Sequence, residues 1–181
     1  MKRLFFGAVI ILILAFSAFG QKAAAGKVDP AQRVREAFDR LVEGIKTVDV
    51  DKVMGVYAKD AKLLIFNNNG TATQGWDEVK SINEKIYAKL TNVTLDVTGL
   101  RVEMLGKTAA YVTCKWKQTQ ENNGKLEDSS GRMTLVFKLI GKEWKIIHRH
   151  TSPDKPDITR IPPSERETKP GAGAGRLDLK N

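Results

Sequence analysis

Two histidines, His148 and His150, are the side chains of this sequence best suited to chemistry near neutral pH. An imidazole titrates at about pH 6.5 and is the commonest proton shuttle in catalysis. Both lie in the stretch Gly141–Ser152, GKEWKIIHRHTS, which reads as the closing strand of a domain. Period-two alternation along a strand places His148 and His150 on one face with Trp144 and Ile146. Lys145, Ile147, Arg149 and Thr151 fall on the other. The pair admits three readings: proton transfer or binding in a pocket, two positions of a metal shell, or packing at a strand end or subunit interface. A zinc or iron site needs a third His, Cys or carboxylate. The chain has no third histidine, and no carboxylate has a spacing that points at the pair. Its one cysteine, Cys114, sits in the alternating run Ala110, Val112, Cys114, Trp116 and reads as a buried, inert thiol. No metal and no cofactor is expected.

Tyr57, Trp76 and Trp116 are the aromatic candidates for lining a pocket, each with one polar atom. Core packing is the alternative for Tyr57 and Trp76, which end and begin helical stripes. If the odd-numbered face of the last strand looks inward, Arg149 supplies the charge of the pocket and the histidines face outward. Arg132 offers a second anion-pairing guanidinium, or a solvated charge at a strand end. Other machinery is missing. Gly171–Gly175 has no strand before it, so it is no phosphate loop, and no G-x-S-x-G elbow occurs.

The elements that must position these residues are legible from periodicity. Asp29-Pro30 signals an N-cap and first helical turn. Val34, Phe38, Leu41, Val42 and Ile45 then follow at spacings of one amphipathic helix. Asp49 caps a shorter helix carrying Val50, Val53, Met54 and Tyr57. A strand is expected over Ala61–Phe66, a turn at Asn67–Gly70, and a third helix from Trp76 to Leu90. Beyond Leu90 the period becomes two, with a bulge expected at Gly99 and strands over Thr108–Gln120, Ser129–Ile140 and the closing stretch. Helices followed by long antiparallel strands make an α+β pattern with the helices on one face of a sheet.

The two ends of the chain differ from this domain, which spans residues 29–152. Residues 1–20 combine Lys2 and Arg3 with an apolar run and a small-residue cleavage site, as a signal peptide does. Export to a periplasm or the medium is expected, with no stable membrane span once that segment is cleaved. Residues 21–28 read as a spacer. From Pro153 to Asn181 the chain holds five of its six prolines and few apolar residues, so a disordered tail is expected. The formal charge of +9 is spread rather than clustered, which points to solubility and a weak preference for anionic partners, not to nucleic acid.

Taken together, Tyr57-Ala58-Lys59-Asp60-Ala61, Gly75-Trp76 at a helix start, and Trp144-Lys145-Ile146-Ile147-His148-Arg149-His150-Thr151-Ser152 resemble the nuclear-transport-factor-2-like superfamily. The likeness is nearest to its SnoaL-like members and to the association domain of calcium/calmodulin-dependent kinases, and it covers about Ala31 to Ser152. The resemblance implies a cystatin-like cone, a curved antiparallel sheet wrapped around the N-terminal helices with a pocket at its open end. The superfamily includes isomerases, dehydratases and cyclases beside transport factors and oligomerising hubs, so fold does not fix function. The kinase association domain places arginines in its pocket where this chain has Leu135 and Thr151. Two functions follow as expectations. One is a module that binds a small apolar or weakly anionic molecule, forms a homodimer, or both. The other is an isomerase, cyclase or dehydratase with His148 or His150 as proton carrier.

Overall fold

The computed structural model describes residues 29–155, 159 and 162–166. The expected signal peptide and spacer, and most of the expected tail, lie outside the described residues. Helix α1 (Pro30–Lys46) begins where the sequence places it, with the Asp29 carboxylate accepting from the Ala31 N–H at 3.0 Å. Its buried stripe is Val34, Ala37, Phe38 and Leu41. Helix α2 (Val50–Val56) is capped in the same way by Asp49, which accepts from the Lys52 N–H at 2.8 Å. Each cap satisfies an N–H that the helix itself leaves without a partner.

Two short strands follow, β1 (Leu64–Phe66) and β2 (Ala72–Gln74), joined through the Asn67–Gly70 turn. β1 is shorter than expected, and β2 has no apolar alternation by which a sequence reading finds it. Helix α3 (Trp76–Tyr87) stops before Leu90, which instead opens β3 (Leu90–Met104). The remaining strands are β4 (Ala109–Asn122), β5 (Lys125–Ile140) and β6 (Glu143–Pro153). β5 starts earlier than Ser129 because Lys125–Asp128 pairs with Thr119–Asn122 despite its polar composition. A one-turn helix, α4 (Pro163–Arg166), falls within the stretch expected to be a tail.

The strands form one curved, unclosed sheet of order β2-β1-β6-β5-β4-β3, so the fold is the expected α+β arrangement. β3 to β6 are an antiparallel meander, but β1 runs parallel to β6, with Leu64 opposite His148. The departure from an all-antiparallel sheet follows from the path of the chain. β1 reaches the free edge of β6 from the helical layer and not through a hairpin, so nothing forces it to reverse direction. α1 and α2 fill the concave side, where Phe38 and Leu41 join Val112, Leu135, Phe137 and Ile146 in the core. At the edge, β3 breaks register twice, between Thr91 and Thr94 and between Thr98 and Arg101, the second at Gly99 with φ +61°.

One further irregularity decides the site. Phe137 pairs with Ile146 but Val136 pairs with His148, so Ile147 is an extra residue in β6. A bulge of this kind shifts side-chain parity by one. Strict alternation groups the histidines with Trp144 and Ile146, and the bulge corrects that grouping. Arg149 and Thr151, opposite Leu135 and Met133, continue the concave face of Trp144 and Ile146. His148 and His150 turn to the outer face.

Gly131 marks the close approach of β6 to β5. A Cβ there would collide with the Ser152 carbonyl oxygen and lie 3.1 Å from Cζ2 of Trp116. Replacing Gly131 by Ala is expected to cost about 1–3 kcal/mol of stability, the usual penalty of overpacking, measured by urea unfolding. Unchanged stability would mean that the strands part freely at this point.

Candidate functional site

Between the concave side of the sheet, α3 and the β1–β2 hairpin lie two adjoining chambers, of about 330 and 270 Å³. The larger runs under β3, β4 and β5 along Leu95, Trp116 and Met133. The smaller lies between α3 and the β1–β2 hairpin along Val79, Ile82 and Thr73. Asn67, Asn68, Asn83, Ile86 and Arg149 line both and therefore form the wall between them.

Arg149 is the centre of that wall. Its Nη1 donates to the Tyr57 hydroxyl at 3.1 Å and its Nη2 to Oδ1 of Asn67 at 3.3 Å, while Nε is buried without a partner. Among the described residues no carboxylate pairs with the guanidinium. Each support is placed by a different element. Tyr57 is the C-cap of α2 with 2% of its surface exposed, and Asn67 follows β1 with its Nδ2 donating to the Thr71 and Thr73 hydroxyls. Across the wall, Nδ2 of Asn83 on α3 reaches only the Met54 thioether, at 3.4 Å.

The polarity of the larger chamber is graded. Burial pushes the Tyr87 hydroxyl up to about 12, Tyr57 adds to that shift and Arg149 opposes it, so Tyr87 stays protonated and is a poor base near neutral pH. Trp116 Nε1 is buried without a hydrogen-bond partner. Toward the rim, Gln118 donates to Gln120 at 2.6 Å and Gln120 to Glu127 at 3.1 Å. The residues that line the two chambers include no carboxylate, imidazole or thiol. This arrangement can bind, orient and hydrogen-bond a ligand.

The structure separates the candidates that the sequence offers. Trp116 and Arg149 line the cavity, and Tyr57 lies behind Arg149 as its support. Trp76 instead ties α3 to α2, its Nε1 donating to the Met54 carbonyl at 3.2 Å under the Lys59 ammonium. Arg132 is exposed on the outer face and donates to the Pro153 carbonyl at 3.2 Å. His148 Nδ1 is 2.9 Å from the Leu64 carbonyl oxygen, and both imidazoles meet the edge of Phe66, with centroids 5.2 and 5.8 Å away. Among the described residues no group of three His, Cys or acidic side chains is placed to hold a metal ion.

Several lining residues escape a sequence reading. Asn67 and Asn68 look like turn chemistry, and Asn83 is a polar interruption of the apolar stripe of its helix, four residues after Val79 and three before Ile86, which the spacing alone does not assign to a cavity. Gln118 does carry a signal, because it follows Trp116 at the strand period.

Cys114 lies on the concave face, and burial pushes its thiol up to about 11. A folded-state value above the ordinary 9.0 means that the unfolded chain releases this proton first. Its contribution to stability is therefore complete below pH 9 and is lost as the pH rises toward 11. Iodoacetamide at pH 8 is expected to leave folded protein unlabelled. Rapid labelling without unfolding would contradict the burial.

A family model described as the SnoaL-like domain matches residues 34–155. No curated protein matches the chain. Among solved structures, a nuclear-transport-factor-2-like superfamily protein from Salmonella enterica serovar Typhimurium is 20% identical, with a TM-score of 0.64 over 73% of this chain and 96% of its own. A protein from Xanthomonas campestris named for the calcium/calmodulin-dependent protein kinase II association domain is 22% identical, with a TM-score of 0.60 over 72% and 91%. A ketosteroid isomerase-like protein from Erwinia carotovora atroseptica is 14% identical, with a TM-score of 0.61 over 72% and 100%. At these identities the likeness is one of fold.

Proposed function

The chain belongs to the SnoaL-like family, and from that premise we propose that it is a small-ligand-binding module whose pocket is the two-chambered cavity at the open end of the cone. It acts after export, without residues 1–20, and pairs as a homodimer through the outer face of its sheet. The observation that carries the binding reading is the wall around Arg149. A guanidinium in a cavity of mixed polar and apolar lining, held by a hydroxyl and an amide, is equipped to fix the orientation of a small molecule. The dimer reading is supported by the outer face, where Phe66 is 40% exposed beside His148 and His150 and half-buried Val136 lies on the same side.

The alternative is an isomerase, cyclase or dehydratase, and it needs a proton carrier within reach of the ligand. His148 and His150 stand outside the cone, and Tyr87 is held protonated. Binding without proton transfer fits the cavity better.

N-phenyl-1-naphthylamine, an uncharged fluorophore that brightens in apolar sites, tests the cavity. It is expected to bind the protein, and Ile86→Trp to abolish that binding without loss of fold, because Ile86 is 46% exposed at the mouth of both chambers. Dye binding that survives Ile86→Trp would place the dye elsewhere and sink the reading.

His148→Gln and His150→Gln are each expected to leave dye affinity within about twofold, the effect of a change away from the site. Loss of affinity in either would put the imidazoles back in the ligand's path. Sedimentation equilibrium checks the dimer, and a monomer at micromolar concentration would remove it.

A further inference from the structure

On the footing that the cavity is the binding site, its chemistry narrows the ligand further. We infer that the pocket takes an apolar monocarboxylate, with its carboxylate on Arg149 beside Asn83 and its body in the larger chamber along Leu95, Trp116 and Met133.

A guanidinium has five N–H donors and a fixed charge. Here one donor goes to Tyr57, one to Asn67, and Nε has none. Both partners are neutral, so they hold the plane of the group without cancelling its charge. A partly buried guanidinium without a counter-ion is stabilised by a bound anion, through charge-assisted hydrogen bonds. Nε is enclosed by the protein, so two donors remain, one on each Nη, and they are the fork that a carboxylate can meet. Tyr57 and Asn67 fix that fork in place.

Asn83 is the second recognition group. Its amide N–H donates to a thioether, a weak acceptor, and no partner for its carbonyl occurs among the described residues. Standing in the same wall as Arg149, it can donate to an oxygen of the anion.

The rest of the lining limits the charge to one. Arg149 is the only ionised side chain that lines either chamber, and the rim amides lead to the Glu127 carboxylate. A dianion such as a phosphate monoester would lack a second cation among the lining residues. Leu90, Leu95, Trp116 and Met133 give the larger chamber an apolar floor for the body.

The test is a matched pair of competitors, 4-phenylbutanoate and 4-phenylbutanamide, displacing N-phenyl-1-naphthylamine at pH 7.5. The acid is expected to displace the dye at least tenfold more effectively than the amide. Arg149→Met should abolish that preference, read as equal displacement by acid and amide. Asn83→Leu, at a half-buried surface of α3, should reduce the preference severalfold and serves if Arg149→Met fails to fold. Equal displacement by acid and amide in the unmodified protein, or a preference that persists in both variants, overturns the carboxylate while leaving the cavity reading intact. Absence of dye binding to the unmodified protein overturns the cavity reading and the inference with it.

Discussion

β6 carries one residue more than the stretch of β5 it pairs with, and the character of the cavity depends on that surplus. Before Ile147 the concave side chains of β6 are Trp144 and Ile146, which complete the core around α1. After it, Arg149 and Thr151 take their place and line the larger chamber. Without the bulge the imidazoles would face inward and the guanidinium would lie on the outer surface. The bulged end is held against β1 by side chains as well as by the parallel ladder. His148 meets the Leu64 carbonyl and the Thr151 hydroxyl donates to the Phe66 carbonyl at 3.1 Å.

Most of the fold was legible because it rests on periodicity and capping. Asp29 and Asp49 cap the helices they precede, and the stripe from Val34 to Leu41 is buried as its spacing requires. Gly99 forms its bulge because its position breaks an alternation that is otherwise regular, and its φ of +61° suits glycine. Ile147 gives no such warning. It is β-branched, apolar and at home in a strand, so nothing local distinguishes it from its neighbours. The extra residue is visible only in the pairing of β6 with β5, which is a tertiary fact. The same limit hid Asn83 and Tyr87, whose roles arise where α3 borders the cavity. Trp76 takes the packing role that its place at the head of a helical stripe allows, with its N–H serving a helix junction.

Membership of the SnoaL-like family accounts for the cone and leaves its contents free. A curved sheet around a helix encloses a space at one end whatever residues line it. In this chain the lining is a single guanidinium set among amides, hydroxyls and apolar groups. Cavity residues need satisfy only the packing and hydrogen bonding of the wall, so relatives with the same backbone can carry different chemistry there.

The two interruptions in β3 bear on how the molecule behaves in a crowd. β3 is a long edge strand, and a long regular edge exposes a row of unpaired N–H and C=O groups that a stranger's strand can extend. Here Asn92, at φ +52°, and Gly99 break that row into short pieces. Asp96, Arg101 and Glu103 set charges beside what remains, and at the opposite edge β2 is only three residues long. The sheet is open at both sides yet poorly templated for growth, which lets the cone remain unclosed without inviting fibrous association.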